Sequence, residues 1–193
     1  MKRKGEITRE NILQKSLNIF LNKGISATSI SDIVNEVGIQ KGSLYYFFPN
    51  KENLALEALK KAKEDFSIFL SKSMKGGNPV EKLSNYFNAV LEFHRRRELK
   101  GGCIFGNSAL EMSEKNEKIR NILVEVFFLW QEKLMELLEE GKKAGYFKET
   151  IDPDKVSWKI ISEIEGAIML SRTFRDIKFL EDCLTGLKME IIK

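Results

Sequence analysis

The sequence predicts an all-α protein of about nine helices, and three observations carry that prediction. Apolar residues recur at helical spacing in one segment after another. Prolines number only three in 193 residues, and no stretch shows the two-residue alternation of a strand. No internal repeat appears. The breaks in the pattern divide the chain into an N-terminal three-helix domain, residues 1–53, and a helical C-terminal domain, residues 54–193, joined by a long helix.

Lys2, Arg3 and Lys4 form a basic arm, read as a solvated terminus rather than a phosphate contact. Thr8 is the expected cap of the first helix, with Ile7 and Ile12 as a hydrophobic staple across it. Ile12, Leu13, Leu17, Phe20 and Leu21 share one face, and Gly24 ends the helix.

Residues 27–54 organise the rest. Ser29 is positioned to cap a short helix whose apolar side is Ile30, Ile33, Val34 and Val37. Gly38 supplies the freedom for a sharp turn. A second short helix runs from about Lys41 to Phe48, where Pro49 pushes the preceding residue out of α geometry. Two helices joined by a glycine-containing turn form a helix-turn-helix, whose second helix enters the DNA major groove. That helix opens on small or polar residues, Gln40 to Ser43, and Gly42 lets a backbone approach a duplex closely. Leu44 and Phe48 are spaced to pack inward, leaving Tyr45, Tyr46 and Lys51 as donors for phosphate oxygens. The competing reading makes Tyr45 to Phe48 the core of a small helical domain.

Asn50 caps a helix running to about Met74, with Ala55, Leu59, Ala62, Phe66, Phe69 and Leu70 on its stripe, long enough to act as a lever between the domains. Gly76-Gly77-Asn78-Pro79 breaks the chain and starts the next helix by cap and N1 proline. That helix carries Leu83, Phe87, Val90, Leu91 and His94, then Arg95 to Arg97, which suit the negative end of its macrodipole. In the stretch 100–112, KGGCIFGNSALEM, Cys103 reads either as a small packed hydrophobe or as a reactive thiol at a helix N-terminus. Asn116 starts a long helix with Ile119, Leu123, Val126, Phe127, Trp130, Leu134, Leu137 and Leu138 buried, after which Tyr146-Phe147 fold back. Asp152-Pro153 opens a helix that is apolar on more than one side, and a last helix spans about Asp176 to Ile192. Two such helices need a partner beyond their own core, and the simplest is a second copy of the chain, giving a two-fold four-helix bundle. The expected interface residues are Trp158, Ile161, Glu165, Met169, Phe179, Leu180, Leu184 and Leu187.

Net charge is +4, and residues 1–51 supply it, with eight Lys or Arg against four acids. Any nucleic-acid attraction is therefore local to the helix-turn-helix. No run of eighteen apolar residues predicts a membrane span, and the basic N-terminus lacks the apolar segment of a secretory signal. A cytoplasmic protein is expected. One histidine and two cysteines, Cys103 and Cys183, give no disulfide framework and no metal motif. No cofactor, no metal and no catalytic residue are expected. Glu92, Glu98, Glu163 and Glu165 are the loose acid/base candidates for an enzyme, better explained as charged surface or pocket hydrogen bonds.

The run Ile12 to Leu54 resembles the tetracycline-repressor (TetR) family of bacterial transcriptional regulators. The motif GxxKGxLYxxFxxKxxL reads here as GIQKGSLYYFFPNKENL without a gap. The resemblance implies a dimeric, all-helical repressor with a small-molecule pocket in its C-terminal part. It places Lys41, Gly42, Ser43, Tyr45, Tyr46 and Lys51 at DNA contacts and Thr28 near a phosphate. Gln40 stands where a capping serine is frequent, and a glutamine amide can pair with adenine. Phe47 stands where histidine is often found. The segment from Gly102 to Glu111 resembles a GC..GN.A.E stretch beside the ligand cavity of some members. Phe87, Leu91, His94, Cys103, Phe127, Trp130 and Met169 are the expected cavity walls. The expected function is a homodimeric repressor released from a palindromic operator by a small apolar or aromatic effector. The alternative trigger is oxidation or alkylation of Cys103.

Overall fold

A computed structural model describes residues 4–193, with side chains from Thr8 onward. The described residues form nine α-helices: α1 Lys4–Lys23, α2 Ile30–Val37, α3 Lys41–Phe47, α4 Lys51–Ser73, α5 Pro79–Arg96, α6 Ile104–Met112, α7 Glu117–Lys143, α8 Pro153–Phe174 and α9 Lys178–Ile191. Among them no strand forms. One isolated antiparallel bridge joins Phe147 to Ile192.

Most boundaries follow from local chemistry. Asn50, Asn78 and Asn116 each accept the N–H three residues on, at 2.7, 2.9 and 3.1 Å, so each satisfies one orphan donor of its helix. Thr8 is a correction. It lies inside α1, which begins at Lys4; no proline stands in residues 4–7 to stop the helix growing past it. The side chains of Lys2, Arg3, Lys4 and Ile7, which carry the arm and the staple, lie outside the described residues.

The chain packs as two units. One holds the chain through Asp65 together with Cys103–Glu125; the other holds Phe66–Gly102 and Val126–Lys193. By packing, the division thus falls at Asp65 rather than at residue 53, and α6 joins the first unit. That unit is built on Ile12, Phe20, Ile33, Leu44, Phe48 and Leu54, all buried, with α1 packed on both α2 and α6.

In the second unit α9 packs on α8 and α5. Leu83, Phe87, Trp130, Leu134, Leu138, Ile160, Ile164, Leu180, Leu184 and Leu187 form its core. The turn after α7 shows how tightly it closes. Phe147 is wholly buried, and a Cβ on Gly141 would lie 2.1 Å from its ring, so only glycine leaves room there.

Candidate nucleic-acid interface and effector region

Ser29 begins the helix-turn-helix with a reciprocal cap. Its hydroxyl accepts the Asp32 N–H at 3.1 Å, and the Asp32 carboxylate accepts the Ser29 N–H at 2.7 Å. The Lys23 ammonium, and then the Ser29 donors, hold the Asp32 carboxyl down at about 2. Gly38 closes α2 at φ 77° with its N–H on the Val34 carbonyl. No atom stands within 4 Å of where a Cβ would be, so conformation rather than space requires glycine.

α3 follows after two residues. Gln40 takes the N-cap position without making a side-chain cap, and its amide is exposed. Leu44 and Phe48 are buried and fix the helix to the first unit. Lys41, Gly42, Ser43, Tyr45 and Tyr46 are exposed, Tyr46 at 83%. The two tyrosines are therefore surface rather than core, and Phe47 is half-buried. Lys41 holds its ammonium 5.8 Å from the Tyr45 ring centre.

Two residues expected at DNA are otherwise engaged. Thr28 is buried, and its hydroxyl donates to the Gly24 carbonyl at 2.5 Å. The Lys51 ammonium donates to the carbonyls of Ile25, Ser26 and Thr28 at 2.9, 3.0 and 2.8 Å. An ammonium has three donors, and all three are used inside the chain. The motif match places Lys51 at a DNA contact, but as the first residue of α4 it faces the end of the α1–α2 turn.

The second unit gathers an aromatic group around α5 and α7. Trp130 meets Phe66 edge-on at 5.3 Å and Phe127 in a stack at 6.5 Å, and its indole N–H donates to the Tyr86 hydroxyl at 2.7 Å. Phe93 lies 5.2 Å from His94 and 6.4 Å from Phe69, with the Arg97 guanidinium 5.6 Å above its ring. His94 is buried; burial, and then the charge of Arg97, push its imidazole down to about 4, so it is neutral at pH 7. Of the expected cavity residues, Phe87, His94 and Trp130 are buried, and Leu91 and Phe127 half-buried. Met169 is 58% exposed, on the outward side of α8. Cys103 belongs to the first unit, at the N-cap of α6. Sequence reading missed Tyr86 and Phe93; each lies one residue from a singled-out position, Phe87 and His94, on the same helix.

The expected two-fold surface also needs correction. Ile161, Leu180, Leu184 and Leu187 are buried in the chain's own core, because α8 and α9 turn these stripes toward each other and toward α5. The adjacent stripes face outward. They carry Met169, Leu170, Phe174 and Phe179 exposed and Trp158, Glu165 and Gly166 half-buried. Phe174 and Phe179 stack at 5.0 Å, and Phe128, itself 58% exposed, meets Trp158 edge-on at 5.7 Å. No group of acids, histidines or cysteines among the described residues could hold a metal ion, and no described helix is long and apolar enough to cross a membrane.

A capped helix, a left-handed glycine turn and a second helix with an exposed polar face make a helix-turn-helix of the DNA-binding type. Residues 12–58 match the bacterial regulatory proteins of the tetR family, and residues 79–187 match the tetracyclin repressor-like C-terminal domain. The chain belongs to the TetR family of transcriptional regulators. It is 33% identical over 171 residues to an uncharacterized HTH-type transcriptional regulator, YxaF of Bacillus subtilis, covering 88% of this chain and 87% of that one. It is 28% identical over 180 residues to the HTH-type transcriptional repressor DhaR of a Mycobacterium species, covering 92% and 88%. The crystal structure of a TetR transcriptional regulator from Chloroflexus aurantiacus superposes with a TM-score of 0.90 at 30% identity, covering 99% of each chain. Regulators of this family are DNA-binding transcription factors and not enzymes.

Proposed function

We propose that the chain is a cytoplasmic, homodimeric repressor that leaves a palindromic operator when a small apolar or aromatic effector binds its second unit. The observation that carries the reading is the exposed face of α3. Gln40, Lys41, Gly42, Ser43, Tyr45 and Tyr46 stand on the surface while Leu44 and Phe48 anchor the helix from beneath. In a two-fold pair such helices lie about one helical turn (~34 Å) apart and meet successive major grooves. The outward apolar residues of α8 and α9 support pairing with a second copy, since a contiguous apolar face of this kind marks an interaction surface. The aromatic group with its neutral histidine supports an effector with aromatic or aliphatic bulk and few polar groups. An effector acts only through its different affinity for the bound and released states.

Gel shifts with duplexes tiling the chain's own upstream region test the reading. A discrete, competitor-resistant complex is the expected result, and binding indifferent to sequence would overturn it. The second trigger, modification of Cys103, is supported by its place at the N-cap of α6. Cys103→Ser separates the two: an effector-gated protein still responds, and a thiol-gated one does not.

A further inference from the structure

Glu111, the acid that closes the Gly102–Glu111 stretch, lies on α6 and reaches back to the α1–α2 turn. Its carboxylate accepts the N–H of Ile25 at 2.8 Å and of Ser26 at 2.5 Å. Lys51 binds the same turn through the carbonyls of Ile25, Ser26 and Thr28. The Ile25–Ser26 peptide thus has its N–H end on an anion and its C=O end on a cation, and the peptides on either side of it are held by the same two groups. Each bond is charge-assisted, and bonds chained in this way polarise one another. Gly24 admits the arrangement. It sits at φ +85°, and a Cβ there would stand 3.1 Å from Glu111 Oε2. Ser26 adds a contact from its hydroxyl to the Met112 sulfur at 3.7 Å.

The turn so clamped leads directly into Ser29, the cap of α2, and Lys51 is the first residue of α4. Three helices that frame the reader therefore meet at one carboxylate and one ammonium. We infer that Glu111 is a positioning residue for DNA recognition: its carboxylate holds the α1–α2 turn that leads into the cap of α2, so operator affinity depends on this side chain. The inference rests on the helix-turn-helix being the DNA reader. Burial opposes the charge on Glu111, but the Ser26 and Ile25 donors outweigh it and hold the carboxyl below its usual value.

The test begins with a duplex selected from a random pool by the wild-type protein and labelled for fluorescence anisotropy. Glu111→Ala should weaken binding to that duplex by about tenfold or more, the scale of one or two lost charge-assisted bonds. The slope of affinity against salt should not change, since no phosphate contact is removed. Hydrogen exchange should speed up at the Ile25 and Ser26 amides while the helices stay folded by circular dichroism. Glu111→Gln, which keeps the shape and one acceptor, should fall between, and serves as the test if the alanine variant does not fold. Lys51→Met should give the same loss and be less than additive with Glu111→Gln. Faster exchange at both amides with unchanged affinity would overturn the inference, as would unchanged exchange. A wild-type protein that selects no duplex at all would instead sink the DNA-reading assignment on which the inference stands.

Discussion

The indole N–H of Trp130 donates to the Tyr86 hydroxyl at 2.7 Å, with both side chains buried between α5 and α7. Tyr86→Phe removes this acceptor and leaves the donor in an apolar surround. The expected cost is about 1–3 kcal/mol, read as a fall in the urea midpoint with an unchanged slope. A double-mutant cycle with Trp130→Phe should show strong coupling, because the second change no longer strands a partner.

Acid should weaken the second unit through His94. Its folded value is depressed, from the ordinary 6.5 to about 4, so between those limits the unfolded chain binds a proton that the folded one does not. The contribution is complete above pH 6.5 and is lost as pH falls toward 4. It amounts to as much as about 3 kcal/mol at ~1.4 kcal/mol per unit. Unfolding measured across this range should lose part of its pH dependence in His94→Leu.

Tyr46 on α3 and Gln40 at its N-cap should fail differently. Tyr46→Phe should weaken binding to every duplex by a similar factor, as loss of a phosphate contact does. Gln40→Ala should instead raise the affinity for mismatched sites relative to the best one, by about 1–3 kcal/mol at the position it reads. Competition binding with a panel of single-base variants distinguishes them, and a change in base preference from Tyr46→Phe would reverse the assigned roles.

Two residues of α8 and α9 separate pairing from folding. Met169→Glu, on the outward stripe, should leave the helical content intact and shift the protein to monomer in analytical ultracentrifugation. Leu184→Ala, on the buried stripe, should cost about 2–5 kcal/mol of stability in the manner of a core truncation. A Met169→Glu protein that sediments as wild type would count against the outward stripe as a pairing surface.

The helices were legible because their ends carry chemistry. Asn50, Asn78, Asn116, Ser29 and Gly38 each announce a boundary by residue type, and the apolar stripes between them keep one period. Thr8 misled because a cap residue is tolerated inside a helix, and only the backbone before it decides. On α9 the residues at 179 and 180 are both apolar, and a helix rotates them about 100° apart. The sequence shows that both faces are apolar and not which one the neighbouring helices cover. Lys51 and Glu111 were opaque for another reason. Their partners are backbone atoms of residues 25, 26 and 28, and main-chain donors and acceptors leave no trace in residue identity.

The engagement of Lys51 changes what the positive charge of the N-terminal region can do. Five basic residues lie between positions 8 and 51, and four are already occupied within the chain. Arg9 pairs with Glu57, Lys23 with Asp32, Lys15 donates to the Glu36 carbonyl, and Lys51 is held by the turn. Lys41, beside Tyr45, is the remaining one of the five. Lys15 and Lys51 keep their charge, since a carbonyl does not cancel it, but their ammonium groups are engaged inside the chain and are not free to bind phosphate oxygens directly. Direct phosphate contacts from residues 8–51 therefore fall to Lys41 and to the hydroxyl and amide groups of the reading helix.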